Sequence, residues 1–201
     1  MTRFKNSAVS VACALLLGAC GIAPVPKDIA SYDFGPAAPA KAEPRLAINL
    51  VVTDVVAPAW MDNTNLHYRL AYVDPARPLP YANSRWVMAP AALLSQRLRA
   101  GLREASKAAV LSPADGVRAE HVLRLELEEF SQVFDSADKS RGVLRLQARL
   151  VRGNELAAQQ SFNIEMPAPS ANAEGGVRAL AAASDEAGRR LADWLAANLR
   201  R

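Results

Sequence analysis

Three runs between residues 123 and 166 alternate apolar and polar side chains one for one. Leu123, Leu125 and Leu127 alternate with Arg124, Glu126 and Glu128; Leu144, Leu146, Ala148 and Leu150 alternate with Arg145, Gln147 and Arg149. Phe162, Ile164 and Met166 then alternate with Ser161, Asn163 and Glu165. Such a period of two belongs to strands that bury one face and wet the other. The short connections at Asp135 to Ser140 and at Arg152-Gly153-Asn154 predict a three-stranded antiparallel meander. The alternation slips at Glu128-Glu129 before Phe130 and Phe134, which predicts a bulge in the first strand. Any fold for this chain must cover the apolar side of that meander.

Two segments with a helical period supply the cover. Ala91, Leu94, Leu98, Leu102 and Ala105 form one stripe inside a predicted helix from Met88 to Val110, with Pro90 tolerated in its first turn. Val177, Leu180, Ser184, Ala187, Leu191 and Leu195 form a second stripe in a helix from about Gly175 to Leu199. Gly175-Gly176 reads as its flexible lead-in, after the breaker Pro167-Ala168-Pro169. Further strands are predicted at Leu46 to Val52 and Leu66 to Tyr72, with a short edge strand at Ser31 to Phe34. Pro75, Pro78 and Pro80 cannot feed a central ladder, so Asp74 to Pro80 is expected to be an extended loop. The expected class is α+β, two-layered, with a mainly antiparallel sheet and two helices packed on one face. No segment repeats at a fixed period.

The N-terminus has a different logic. Arg3 and Lys5 precede a ten-residue apolar run, Ala8 to Leu17, and then Gly18-Ala19-Cys20. A basic start, a short apolar run and small residues describe a secretory signal peptide over residues 1–19, too short in its apolar part to span a bilayer. Leu17-Gly18-Ala19-Cys20 also resembles a bacterial lipobox, which implies acylation of Cys20; an ordinary signal peptide with a chance cysteine is the competing reading. Residues 20–30, with Pro24 and Pro26, are expected to be a tether, and residues 31–201 a single domain. Removal of the leader takes away Arg3, Lys5 and no acid, which lowers the formal charge from +4 to +2. A basic balance that small is weak evidence for a polyanionic partner, and an exported, anchored protein is not placed to meet nucleic acid.

The chain offers little chemistry. Its two cysteines, Cys13 and Cys20, and its two distant histidines, His67 and His121, cannot build a nitrogen/sulfur zinc site. No P-loop, G-x-G-x-x-G or G-x-S-x-G occurs, no cofactor is implied, and no nucleophile–base pair stands out, so a noncatalytic role is expected. Glu126 and Glu128 lie on a polar strand face whose neighbour offers Arg145 and Arg149, and cross-strand pairing accounts for them. Candidate partner contacts are Trp60 and Met61, which either mark a surface site or fold back to cap the core, and the basic helix residues Arg97 and Arg103. With Arg99 and Lys107 these make a helix face that is either simply solvated or meets a protein or lipid. Trp86 and Trp194 are expected to be packing residues.

The order of these pieces resembles the ABC-type transport auxiliary lipoprotein (PqiC-like) family. The resemblance is carried by Tyr32-Asp33-Phe34, Leu46 to Val52, Leu66-His67-Tyr68-Arg69, Leu79-Pro80-Tyr81 and Arg85-Trp86 ahead of the Pro90 helix. The run Leu123 to Phe130 and the closing Ala192-Asp193-Trp194-Leu195 complete it; Ala57 to Asn65 looks less typical. What it implies is a component of an MCE/ABC-type system that moves lipids or other hydrophobic molecules between two membranes, docking a periplasmic MCE-domain partner and, through it, an inner-membrane transporter. Gly21 rather than aspartate follows Cys20, which by analogy with enteric sorting rules puts the anchor on the periplasmic face of the outer membrane. Self-association into a ring is left open. The alternative is an outer-membrane lipoprotein serving lipopolysaccharide or protein assembly.

Overall fold

The computed structural model describes residues 28–37 and 46–199; the expected leader, Cys20 and most of the expected tether lie outside the described residues. In chain order the elements are β1 (Ala30–Tyr32), β2 (Leu50–Val56), β3 (Asn65–Leu70), β4 (Asp74–Trp86), α1 (Pro90–Glu104) and β5 (Val110–Leu111). They continue with β6 (His121–Phe134), β7 (Ser140–Arg152), β8 (Glu155–Pro167) and α2 (Ala173–Asn198). One-turn 3-10 helices stand at Ala59–Met61 and Pro113–Asp115.

The meander forms as the alternation requires. β6, β7 and β8 pair antiparallel in sequence order, and the β6–β7 register shifts between Leu127 and Glu129, at the predicted bulge. Gly153, at φ 59°, turns the chain between β7 and β8 in a conformation that disfavours any side chain. The inward leucines of β6 and β7 meet α2, while α1 packs on β2 and β5 and alongside α2. Leu94, Leu98, Leu102, Leu180, Leu191 and Leu195 are fully buried. Each contributes about 1.5–3 kcal/mol relative to an exposed position.

The sheet is mixed rather than mainly antiparallel. Of its pairings, β1–β4, β2–β5, β2–β6 and β3–β6 are parallel, while β3–β4, β6–β7 and β7–β8 are antiparallel. The cause is the length of β6. One edge is occupied by β7 throughout, and the other is shared, with β2 alongside His121 to Glu126 and β3 alongside Gln132 to Phe134. Alternation reveals which face of a strand is buried but not the direction of the partner at its edge, so this branching left no trace in the pattern.

Three local expectations need correction. Asp74 to Pro80 is not a loop but the first half of β4, paired with β3 from Asp74 opposite Leu70 to Arg85 opposite Asn65. Its prolines are tolerated because β1 borders β4 only at Ser84 to Trp86, so among the described strands the proline-bearing half has one free edge. Secondly, the apolar run at residue 46 joins the ladder only from Leu50. Leu46 instead closes the end of α1, accepting from Lys107 N–H at 2.8 Å and donating to the Ala105 carbonyl at 3.1 Å. That contact, with the Ser106 hydroxyl accepting from Ala108 N–H, stops α1 at Glu104 and releases Val110–Leu111 to form β5. Thirdly, Gly175 and Gly176 are no flexible lead-in. They sit buried in the first turn of α2, where the Asn172 side chain accepts from Gly175 N–H at 2.9 Å. A Cβ on Gly176 would lie 2.1 Å from Gln132 Oε1, and one on Gly142 of β7 would lie 2.8 Å from the backbone of Ala179 and Leu180. These glycines let helix and sheet approach.

The register of β2 shifts between Val52 and Val55, and the buried Ser95 of α1 repairs the break. Its Oγ accepts from Val55 N–H at 2.8 Å while donating to the Ala91 carbonyl at 2.7 Å. A serine inside an otherwise apolar helix stripe is thereby accounted for.

Candidate functional site

Alternation along β3 and β6 sends Leu66 and Phe130 into the core and leaves His67, Arg69 and Glu129 on the other side of the sheet. There they form a compact polar cluster with Trp60. Arg69 donates to Glu129 through Nη2 at 2.9 Å and Nε at 3.4 Å, and both side chains are largely buried. Its Nη1 donates at 3.2 Å to the carbonyls of Pro75 and Ala76, which ties the proline-rich half of β4 back across β3. The guanidinium carbon also lies 5.6 Å from the centre of the Trp60 ring, and that ring stands edge-on to His67 at 5.3 Å. One arginine thus joins four elements.

Burial pushes the His67 imidazole below its usual pKa, with Glu129 opposing and Arg69 adding to the shift. The neutral ring is then favoured in the fold while the unfolded chain protonates near pH 6.5. Stability contributed at this position is therefore complete above about pH 6.5 and is lost as pH falls toward the folded-state value. We expect the melting temperature to drop less between about pH 7.5 and 5.5 in His67→Asn than in the wild type, as read by calorimetry.

The candidate contacts are distributed unequally. Trp60 is 37% exposed and roofs the cluster, whereas Met61 is 1% exposed and belongs to the core, which leaves it no surface for a partner. Arg97 is committed within the chain: it donates to Asp185 of α2 through Nε at 2.6 Å and to the Gly35 carbonyl at 2.9 Å. Arg99 pairs with Asp54 at 2.7 Å. Arg103 and Lys107 remain exposed at the end of α1. Of the strand carboxylates, Glu126 pairs with Arg149 at 3.1 Å, as the cross-strand reading requires, and Arg145 stands opposite Glu129 in the register.

Sequence reasoning missed the Arg69–Glu129 pair, since sixty residues separate partners that meet only where β3 joins β6. It also missed two aromatic groups. Phe34, Trp86 and Phe130 contact one another with ring centres 5.5–5.7 Å apart, and Tyr68, Tyr81 and Phe134 form a second set at 4.6 and 5.9 Å. In the second, Tyr81 O–H donates to Gln132 Oε1 at 2.9 Å, and Gln132 Nε2 donates to Ser140 Oγ at 2.8 Å. Burial, reinforced by Tyr68, pushes the Tyr81 hydroxyl up to about 12. Trp86 and Trp194 pack as expected, the latter edge-on to Phe162 at 6.2 Å.

Among the described residues no group of three or more His, Cys, Asp or Glu side chains is arranged to hold a metal ion. The surface of the described residues includes open hollows. One of about 610 Å³ lies between β8 and α2 beside Trp194, and one of about 390 Å³ lies beside Tyr32, Asp33 and Phe34. No described helix is long and apolar enough to cross a membrane.

The class this defines is a mixed α+β domain whose buried polar groups brace the sheet and whose exposed groups are surfaces. The chain belongs to the family of ABC-type transport auxiliary lipoprotein components, whose family model matches residues 32–192. That family is an auxiliary transport component and not a known catalytic one. The comparison with curated proteins finds no match. Among solved structures, the fold is similar to that of a Xanthomonas campestris protein at TM-score 0.72 and 16% identity, covering 86% of this chain and 96% of that one. An uncharacterized protein aligns at TM-score 0.61 and 14% identity (84% and 99% covered), and a hypothetical protein from Chlamydia trachomatis at 0.52 and 9% (75% and 97% covered). At these identities the likeness concerns the fold alone.

Proposed function

We propose that the protein is a noncatalytic lipoprotein of an MCE/ABC-type intermembrane lipid transport system. It is held at the periplasmic face of the outer membrane by acylated Cys20 and docks the periplasmic MCE partner. The observation that carries this reading is the family match over residues 32–192 directly behind a lipobox-like Leu17-Gly18-Ala19-Cys20. Several acyl chains on one cysteine give durable attachment, since each buried methylene contributes about 0.8 kcal/mol and one chain alone holds only marginally. Anchoring also raises the effective concentration of a weak docking surface facing the periplasm. The exposed Trp60 and Arg103 are the proposed contacts that remain available on the surface.

The test is purification from detergent-solubilised membranes with the acyl chains intact. Recovery of an MCE-domain protein is the expected result; recovery of lipopolysaccharide or protein assembly machinery alone overturns it. Cys20→Ser should yield a folded, unprocessed precursor that fails to restore the phenotype of a deletion strain. Full complementation by that variant shows the anchor to be dispensable.

A further inference from the structure

Taking the anchor at Cys20 from the proposed function, the geometry points to the tip of the β3–β4 hairpin, Tyr72-Val73, as a second contact with the same lipid surface. Tyr72 is 50% and Val73 69% exposed, two large apolar side chains side by side at a turn. The turn is held rather than loose. Val73 N–H donates to the Leu70 carbonyl and Ala71 N–H to the Phe134 carbonyl, both at 2.9 Å, and Arg69 grips the Pro75 and Ala76 carbonyls behind it.

Register supplies the orientation. β1 runs parallel to β4 with Ala30 opposite Ser84, so the chain enters β1 from the end of the sheet at which the β3–β4 hairpin turns. Asp74, where β4 begins beside the tip, is ten residues before Ser84, but two register shifts set that length against the short rise of β3 from Asn65 to Leu70, so the tip lies only about 17 Å along the sheet. Cys20 is also ten residues before Ala30, a reach of at most about 33–36 Å. That reach exceeds the distance from Ala30 to the tip, so a domain hung from Cys20 can set its hairpin tip on the membrane with chain to spare when its strands stand away from the surface. Tyrosine suits the boundary of headgroup and acyl chain, with an apolar ring and a polar end. The neighbouring β6–β7 turn carries Asp135, Asp138 and Lys139, so the contact rests on apolar insertion and not on attraction to anionic headgroups. The β7–β8 turn and exposed Val117 then lie at the end facing away from the membrane.

The experiment uses the full acylated protein in vesicles of phosphatidylethanolamine and phosphatidylglycerol. Cys13 leaves with the leader and Cys20 is blocked by acylation, so Tyr72→Cys, Val73→Cys or Val117→Cys each supplies a single free thiol for an environment-sensitive fluorophore. Labels at 72 and 73 should shift to shorter wavelength and lose at least half their emission when the lipid tails are brominated. The label at 117 should do neither, and added salt should change nothing. Acylated, vesicle-bound protein whose tip labels stay unquenched overturns the inference alone, as does a blue shift without quenching, which marks burial against protein. Quenching at 117 instead reverses the orientation and overturns it too. Mass spectrometry showing an unmodified Cys20 overturns the anchor itself, a separable outcome.

Discussion

Arg69→Ala should lower the unfolding free energy by about 3–5 kcal/mol, the range for removing one partner of a buried ion pair. The cost has two sources. Glu129 is left with its carboxylate buried and without the guanidinium that now donates to both of its oxygens, and the Pro75 and Ala76 carbonyls lose their donor. The double variant Arg69→Met with Glu129→Leu should recover a large part of the loss, because a buried pair replaced by apolar groups of similar volume is often close to neutral. Denaturant titration of the wild type, both single variants and the double variant measures the coupling directly. A single-variant loss under about 1 kcal/mol would show that water reaches Glu129 and that the pair behaves as a surface bridge. The Tyr72-Val73 turn should also become more mobile in Arg69→Ala, visible as faster amide exchange at residues 70–76.

Trp86→Ala should cost a comparable 3–5 kcal/mol. Trp86 is 1% exposed at the end of β4 and sits edge-on to Phe34 while leaning on Phe130, so its removal opens a cavity bordered by three parts of the chain distant in sequence. Its backbone matters as well: Trp86 N–H donates to the Thr64 carbonyl at 2.8 Å, and Tyr32 is its register partner on β1. Trp86→Phe keeps an aromatic ring and should cost less than half as much. Equal losses for the two variants, measured by thermal and denaturant unfolding, would mean that the indole's size and not the aromatic contact governs the site.

How much of this was visible beforehand follows from what each signal encodes. The meander, its bulge and the seams of both helices are local properties, and Leu123 to Leu127, Leu144 to Leu150 and the stripe from Val177 to Leu195 all bury as their spacing requires. β4 was misjudged because a proline excludes only a hydrogen-bonded donor, and whether a donor is needed depends on which edge has a neighbour. Gly142 and Gly176 gave no signal, since a glycine that permits contact reads like a glycine that permits bending. The family resemblance located Phe34, Trp86 and Phe130 separately without saying that they touch. Arg97 looked like a surface cation because its helix face is polar; only the fold brings Asp185 and the Gly35 carbonyl beneath it.

The parallel pairing of β1 with β4 has a mechanical consequence. Under the proposed anchoring at Cys20, a pull arriving at Ala30 along the axis of β1 would load its ladder bonds in shear, so that they share the tension instead of opening one after another like a zip. Directly behind them Arg97 clasps the carbonyls of Phe34, Gly35 and Pro36 while pairing with Asp185, which passes the strain from the sheet margin into both helices. Forced unfolding is governed by the unfolding rate, and at this margin of the sheet three residues of strand, one guanidinium and the Phe34 ring seated on Trp86 and Phe130 set it.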